Sequence, residues 1–365
     1  MSNRILLIGN SGLKHNYGDG QTAKVRLYLK KIKDEGFDVD FVDLEDFIKK
    51  PFSIFHRIKK GIVECDRIIL VTASRGCRIL IPFINNKNRK YQKPFILPLI
   101  GTSVLHHSID KLTEEEKVDF LVNGNYSLCK PDNKTAKHLK KITYILPETN
   151  LLVKVFKDFY KLDNVFLLNN FRDHQLIQKE NASSEVLRLV FLSRVTKIKG
   201  IFDLLEVVKN LINEGYKLKL DIYGNKMLTP DEESVFKSFI DNENIDYCGV
   251  IDNSIVCETL SHYDLFTFPT RYLGEGTPGV IAESLLAGTP VITSDFPQAK
   301  YLLDNGTDSI FYKMFDKEDL KRKLIYLIKT KKMLIEMRNS ALKSGDKFTY
   351  EFERYNFLKL ICGKK

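Results

Sequence analysis

The chain has 365 residues, of which 43% are hydrophobic and 28% are charged, and its formal net charge at pH 7 is +10. This composition is that of an ordered globular protein and excludes a disordered or fibrous chain, while the length favours two domains over one. Six scattered cysteines at no metal-ligand spacing indicate reduced thiols, and no apolar run approaches the roughly 20 residues that span a bilayer. We therefore expect a two-domain cytoplasmic protein that crosses no membrane.

The basic surplus is confined to the first half of the chain. Lys and Arg number 29 against 19 Asp and Glu through Leu168, whereas the rest of the chain holds 28 of each. This asymmetry predicts that the first half meets an anionic partner, either a lipid headgroup surface or another polyanion.

Short apolar runs alternate with helical patterns through the first half. After the first run, a helix is predicted over residues 21–35. Because strands that alternate with helices form parallel sheets, the pattern predicts a Rossmann-like domain over residues 1–169. The strand-like runs are RILLIG, DVDFVDL, DRIILVT, KPFILPLIGT, ITYIL and NVFLL.

The same alternation restarts after residues 170–185, a polar segment without periodicity that is predicted to be a linker. The strand-like runs of this half are LRLVFLS, KLKLDIYG, IDYCGVI, DLFTFPT and PVITSD. They predict a second Rossmann-like domain over residues 170–348, and the last helical stretch, 349–365, is expected to pack back on the first domain. The predicted fold class is α/β, with two doubly wound domains whose strand ends face a central cleft.

The stretch RYLGEGTPGVIAESLLAGTPVITSD follows a predicted strand and turns through a glycine-containing loop into a helix near Pro278. The backbone amides around Gly276, Thr277 and Gly279 then direct partial positive charge at any ligand bound there. This arrangement predicts an anion site that suits a diphosphate.

Two glutamates of the same stretch, Glu275 and Glu283, are separated by seven residues, so one lies in the loop and the other in the helix. Carboxylates accept pairs of hydrogen bonds from sugar and ribose hydroxyls, and these two can contact different parts of one extended ligand. The alternative is that both are solvated surface residues.

This stretch resembles the donor-site signature of retaining glycosyltransferase family four, a frame of the form E-G-x-P…E-x-x-x-x-G-x-P-V-I. The resemblance implies the GT-B fold and assigns Glu275 to the transferred sugar and Glu283 to the nucleotide ribose. It further implies a transferase of hexosyl or N-acetylhexosaminyl groups that retains the anomeric configuration. The donor is expected to be a UDP-sugar, with GDP left open. The expected acceptor is a saccharide or lipid-linked saccharide in polysaccharide synthesis, and no nucleic-acid partner is expected.

A second element, FLSRVTKIKG, places Arg194 and Lys199 after a buried-type strand. It is similar to the cationic diphosphate clamp of the same family, although two such cations in a loop can also be merely solvated. Fixed cations and a helix N-terminus stabilise a departing diphosphate without a metal. We therefore expect no metal and no cofactor.

Weaker candidates lie at other strand ends of the second half. Tyr223 and Gly224 end one strand, and Val250 follows another; they resemble the family positions that line the base and ribose, or they are ordinary turns. Many family members carry a glutamate in the helix after the P-V-I strand, where this chain reads FPQAKYLLDNG with Asp304 nearby.

The first half offers candidates for the acceptor side of the site. Its first loop does not fit G-x-G-x-x-G, which disfavours a dinucleotide-binding oxidoreductase. By resemblance this loop approaches the phosphates and the acceptor, although a plain flexible connection is equally open. His106 is the candidate catalytic histidine, with His107 competing for the same role. From the first loop, Gly18 is the candidate for donor binding. The remaining acceptor-side candidates are Asp19, Gly20, Ser74, Arg75, Thr102 and Ser103.

The segment KKPFSIFHRIKKGI is predicted to be helical from Pro51 and to line up Phe55, Ile58 and Ile62 between basic residues. That layout is typical of an interfacial helix on an anionic membrane, and it also fits an ordinary helix packed on a sheet. The interfacial interpretation predicts peripheral binding to the inner face of the cell membrane.

A second function remains open, that of a non-catalytic glycosyltransferase-like subunit that assists a partner enzyme. The absence of a clamp residue or of one of the two glutamates would favour that function, and all four residues are present.

Overall fold

The structure is a computed structural model that describes residues 4–14, 20–173, 177, 185–240 and 243–364, with the side chains of residues 106 and 107 excepted. The chain forms two compact units. Unit 1 comprises Met1–Asn170 and Tyr350–Lys365, and unit 2 comprises Phe171–Thr349. Each of these boundaries lies one residue from the corresponding predicted one. Most of the predicted linker, 170–185, lies outside the described residues.

Unit 1 is built on a five-stranded parallel sheet with the order β2-β1-β3-β4-β5. The strands are β1 (Arg4–Gly9), β2 (Asp38–Asp43), β3 (Arg67–Val71), β4 (Phe95–Pro98) and β5 (Tyr144–Leu146). Strands β1 and β3 are apolar over nearly their whole length because helices cover both faces of the sheet. The α-helices are α1 (Gly20–Asp34), α2 (Pro51–Glu64), α3 (Ser74–Asn88), α4 (His106–Ile109), α5 (Glu114–Val118), α6 (Asn133–Leu139) and α7 (Asn150–Tyr160).

One predicted strand of unit 1 is wrong. The run NVFLL does not form a full strand; it meets β5 only through the bridge between Ile145 and Val165 and through single backbone bonds such as Phe166 N–H to Ile145 O, 3.0 Å. Val165 and Leu168 of this run are buried at the edge of the sheet, whereas Phe166 is exposed. Apolar content alone does not separate such an edge segment from a strand.

Helix α2 packs as an ordinary domain helix. Ile58 and Ile62, two of the three residues expected on a membrane-facing stripe, are fully buried in the core of unit 1 together with Ile54, and Phe55 is half-buried. The interpretation of this stripe as a membrane face is therefore wrong, because the sheet already covers it. The outward face of α2 carries other residues, including Phe52, which is 89% exposed.

Unit 2 is built on a six-stranded parallel sheet with the order β11-β10-β9-β6-β7-β8. The strands are β6 (Leu187–Leu192), β7 (Leu218–Tyr223), β8 (Ile245–Gly249), β9 (Leu265–Phe268), β10 (Val291–Ser294) and β11 (Ser309–Tyr312). The last strand, SIFY, was not predicted. Four residues flanked by polar segments carry too little periodicity to be recognised without their neighbour β10.

The helices of unit 2 are α8 (Ile201–Asn213), α9 (Pro230–Ile240), α10 (Val256–Ser261), α11 (Gly279–Leu286), α12 (Ala299–Leu302), α13 (Lys317–Lys329) and α14 (Lys331–Gly345). Two buried clusters fill the two faces of the sheet, one against α8 and α13 and the other against α10 and α11.

The end of the chain returns to unit 1 as helix α15 (Tyr350–Asn356) and a following π-helical segment. Phe357 packs edge-on against Tyr28 of α1, with ring centroids 5.2 Å apart, and Arg354 pairs with Glu35 at 2.6 Å. Among the described residues, no helix combines the length and the apolar character needed to cross a membrane.

Candidate functional site

The strand order of unit 2 defines where a ligand is expected. From the central strand β6 the chain builds β7 and β8 on one side, and it then returns to build β9, β10 and β11 on the other. The reversal lies between β6 and β9, and in open α/β sheets ligands bind beyond the carboxyl ends of the strands at this point. The loops after these two strands carry Lys199 and Glu275.

The structure brings Lys199 and Glu275 into direct contact. The Lys199 ammonium donates to Glu275 Oε1, and the Thr270 hydroxyl donates to the same oxygen at 2.8 Å. The Lys199 and Glu275 side chains are only 9% and 8% exposed. Water therefore screens this ion pair weakly, and each charge depends on the other for its compensation.

The backbone around Lys199 is fixed by a close approach between two loops. Gly200 ends a short 3₁₀ turn with φ at +76°, and a Cβ atom there would lie 1.8 Å from the carbonyl oxygen of Pro269. Only glycine fits both the conformation and the space. The Lys199 ammonium also lies 5.5 Å from the ring centroid of Phe268 and 5.8 Å from that of Tyr272, within cation–π range.

Arg194 differs from Lys199 in its surroundings. Its side chain is exposed, and it forms no hydrogen bond or ion pair with any residue that the structure describes. The backbone of the preceding residue, Ser193, is nevertheless held against the end of β7. Ser193 N–H donates to Tyr223 O at 3.1 Å, and a Cβ on Gly224 would lie 1.8 Å from Ser193 O. Three predicted residues, Arg194, Tyr223 and Gly224, therefore meet at adjoining strand ends.

The Tyr223 side chain belongs to a polar chain at the end of β7. Its hydroxyl lies 3.0 Å from that of Tyr263, which in turn donates to Asp221 at 2.7 Å. Burial is the largest cause that raises the pKa of Tyr223, so the phenol is neutral at physiological pH. Val250 follows β8 and is 68% exposed, which leaves an apolar surface open beside these groups.

The loop after β9 leads into α11 much as predicted. Pro278 occupies the position before the helix rather than its first turn, and Gly279 begins the helix. Thr277 is buried, Gly276 is half-buried, and no side chain caps the helix start. The first turn contains no acidic residue, so the positive end of the helix dipole is not neutralised from within the turn.

Glu283 has a partner that sequence reasoning missed. Arg172 Nε donates to Glu283 Oε1 at 3.0 Å, and both side chains are largely buried. The guanidinium also lies against Gly279, where a Cβ would come within 1.7 Å of Arg172 Nη2. Arg172 therefore lies against the first residue of α11 and orients Glu283, which lies one turn further along the helix. Arg172 lies in the polar segment predicted to be a linker, and no sequence signal distinguishes it there from a solvated arginine.

The candidates of unit 1 are placed as follows. Gly18 and Asp19 lie outside the described residues, Gly20 begins α1, and His106 and His107 begin α4. Ser74 begins α3 and is half-buried, Arg75 is exposed, and Thr102 and Ser103 are buried in the turn after β4. Ser74 and Ser103 line one cavity of about 370 Å³, to which Arg75 and Thr102 do not contribute.

No group of three or more His, Cys, Asp or Glu side chains at metal-binding distance occurs in the part of the chain that the structure describes. Asp304 lies on the surface after α12, where its backbone N–H bonds Asp308 at 2.8 Å.

The contrast between the two cations leads to a prediction. Lys199→Ala should lower the free energy of unfolding by about 3 kcal/mol, because it leaves the Glu275 carboxylate buried without its counter-charge. Arg194→Ala, the matched control, should change it by less than about 0.5 kcal/mol. Urea unfolding of the full chain measures both values. Equal, small losses would show that the ion pair is not buried as described.

Known proteins resemble this chain in sequence and in fold. The profile of the family described as glycosyl transferases group 1 matches residues 173–344. The capsular polysaccharide biosynthesis glycosyltransferase CapM of Staphylococcus aureus is 26% identical over 139 residues. That match spans 38% of this chain and 36% of the relative.

Solved structures resemble the chain over nearly its whole length. HepE from Anabaena, in a complex with UDP, has a TM-score of 0.69 at 12% identity, covering 97% of this chain and 98% of that one. Sucrose-phosphate synthase from Thermosynechococcus elongatus has a TM-score of 0.70 at 13% identity, with 97% of each chain covered. At such low identity the likeness shows the fold, which is the predicted GT-B class.

The profile match spans nearly all of unit 2 and includes Arg194, Lys199, Glu275 and Glu283. Residues 173–344 therefore match the family described as glycosyl transferases group 1, and the chain has a GT-B fold.

Proposed function

We propose that this chain is a glycosyltransferase that takes a sugar from a nucleotide-sugar donor bound at the strand ends of unit 2. The observation that carries the proposal is the buried Lys199–Glu275 pair at the switch point between β6 and β9. A buried ion pair contributes little to stability compared with apolar residues of similar size, so its presence favours a role in ligand binding. The family match to the same unit supports this reading.

Each group at this edge suits one part of the donor. Arg194 is exposed and has no described partner, so it is available to a diphosphate. Lys199 has three N–H donors and can reach a phosphate oxygen while it still holds Glu275. Glu275 then accepts from sugar hydroxyls, and Glu283 accepts from the ribose. Tyr223, Gly224 and the exposed Val250 lie on the base side.

The same geometry supports a mechanism without a carboxylate nucleophile. Glu275 accepts from both Lys199 and Thr270, which stabilises its charge and lowers its nucleophilicity. Arg194, Lys199 and the α11 N-terminus would stabilise the negative charge that develops on the departing nucleoside diphosphate. We propose retention by front-face attack, in which the leaving phosphate accepts the proton of the acceptor hydroxyl. No metal is required for these steps.

UDP is the proposed nucleotide. The HepE structures hold UDP, UDP with glucose, or UDP-glucose, and this chain shares their fold. We propose transfer of a hexosyl or N-acetylhexosaminyl group to a saccharide or lipid-linked saccharide in polysaccharide synthesis. The name of the CapM relative supports that setting.

Glu283→Ala should weaken the binding of UDP and its sugars by about 1–3 kcal/mol, because two ribose hydroxyl contacts are lost. Titration calorimetry with UDP measures the change, and GDP tested in parallel identifies the preferred base. Because the substitution also leaves Arg172 without this partner, Glu283→Gln serves as a conservative second variant. Glu258→Ala, an exposed glutamate on α10, is the matched control. Unchanged affinity in both folded Glu283 variants would refute the ribose assignment.

The alternative of a non-catalytic binding subunit predicts a different outcome for turnover. Such a subunit would bind the donor without releasing UDP from it when saccharide acceptors are added. All four residues of the clamp and glutamate pair are present, which favours the enzyme.

We further propose that unit 1 works at an anionic membrane surface on the cytoplasmic side. With Ile58 and Ile62 buried, the contact would instead be made by Ile48 and Phe52, which are 77% and 89% exposed at the start of α2. Lys49 and Lys50 stand between them in the sequence, and Lys59 lies two helical turns after Phe52. None of these three lysines forms an ion pair within the described ranges. Apolar side chains flanked by unpaired lysines match the requirements of a lipid headgroup layer.

The membrane proposal predicts salt-sensitive cosedimentation with anionic vesicles and none with neutral ones. Reversing the charge of both Lys49 and Lys50 to Glu should weaken binding roughly 30-fold or more, since each lysine near the surface contributes about 1 kcal/mol. The pair Arg89→Glu and Lys90→Glu makes the same charge change elsewhere in unit 1 and should have a smaller effect. Equal binding by the two double variants, or none by the unaltered chain, would refute the proposal.

A further inference from the structure

The cavity of unit 1 lies between α3 and α6, above the turn that follows β4. Its volume of about 370 Å³ falls in the range of small-molecule sites. Ser74 at the start of α3 and Ser103 after β4 both reach it from the carboxyl ends of their strands. Parallel sheets bind their ligands at this edge, so the cavity is placed where a ligand is expected.

The Ser103 hydroxyl is the strongest sign that the cavity binds a polar molecule. The residue is 4% exposed, and its oxygen has no hydrogen-bond partner within the described part of the chain apart from the thiol of Cys77 beside it. Burial raises the pKa of Cys77 to about 12, so this thiol stays protonated and is a weak partner. A buried hydroxyl with only a weak partner destabilises the protein, and a hydrogen bond to a ligand hydroxyl would offset that cost.

The rim of the cavity carries a positive bias. Arg78 and Lys134 are exposed at its mouth, and neither forms an ion pair with a described residue. Asp132 is the acidic residue of the lining, and its carboxylate caps α6 by accepting from Thr135 N–H at 2.8 Å. His138 also lines the cavity; burial and the neighbouring lysines lower its pKa, so it is neutral at physiological pH.

The start of α3 adds to this bias. Its first turn holds no acidic residue, and no side chain caps it. The remaining wall is apolar, with Ile81, Pro82 and Val104. A sugar ring presents C–H groups on its faces and hydroxyls at its edge, which suits a cavity with an apolar wall and a buried hydroxyl.

We propose that this cavity binds a sugar unit that carries an anionic group, a carboxylate or a phosphate, with the Ser103 hydroxyl on the ring and Arg78 on the anion. As an acceptor subsite it rests on the proposed function, and it narrows the acceptor to an acidic glycan. Ser74 and the first turn of α3 bind the ring hydroxyls nearest the strand ends.

Ligand-observed NMR titration of the full chain tests the subsite with three probes: methyl glucuronide, glucose 6-phosphate and methyl glucoside. At low salt we expect the carboxylate or the phosphate probe to bind at least about fivefold more tightly than the neutral glucoside. Which of the two is preferred identifies the source of the anion. Raising the salt concentration should reduce the preference, because the cations are at the rim.

Two variants assign the contacts. Arg78→Gln should abolish the preference for the anionic probes, whereas Arg89→Gln, an exposed arginine at the end of the same helix, should keep it. Ser103→Ala should weaken all three probes about fivefold, and it should leave thermal stability unchanged or raised because the lost hydroxyl has only the weak Cys77 thiol as a described partner.

Equal binding of the three probes, or no binding of any, would overturn the subsite. If Ser103→Ala lowered thermal stability without changing the binding of the probes, the hydroxyl would contribute to the fold alone. That result would also overturn the subsite. UDP binding is measured separately on the unaltered chain. If UDP fails to bind, the proposed function fails while the saccharide titration still decides the subsite.

Discussion

The candidate site of unit 2 is organised around one interaction, the ion pair of Lys199 and Glu275 at the carboxyl ends of β6 and β9. Removing two charges from water is expensive, and their attraction offsets that cost only when the geometry is well fixed. The close contact of Gly200 with the Pro269 carbonyl and the hydrogen bond from Thr270 provide that geometry. The neighbouring residues lie at the same edge of the sheet. Tyr223 and Gly224 hold the backbone next to Arg194, and Arg172 holds the carboxylate of Glu283.

The sequence predicted the parallel sheets because alternation of buried strands with helices is a strong, repeated signal. Arg194, Lys199, Glu275 and Glu283 were assigned through the resemblance of their motifs to a known family, because their positions after a strand or in the next helix also fit solvated surface residues. The structure was needed for long-range contacts. Arg172 lies 111 residues from Glu283, and the strand β11 is too short to be recognised without β10. The stripe of Ile58 and Ile62 misled because helical periodicity does not tell a sheet from a membrane.

The two units differ in how they present charge. In unit 2 the cation Lys199 is compensated by Glu275, which suits a donor whose charge changes during the reaction. In unit 1 the lysines at the start of α2 and the rim residues Arg78 and Lys134 are exposed, which suits recognition of fixed anionic groups at a surface. Part of the basic surplus of the first half therefore lies at these two places, and ionic strength should affect binding at both.

The central claim is that the nucleotide binds at the switch point of unit 2. Hydrogen–deuterium exchange of the full chain, with and without excess UDP, tests it most directly because it reports each segment separately. The account predicts that UDP slows exchange in residues 193–200 and 272–283 and leaves residues 74–88 and 133–139 unchanged. The account would be contradicted if saturating UDP slowed exchange only in segments of unit 1, or if it left the exchange rates of both segments of unit 2 unchanged.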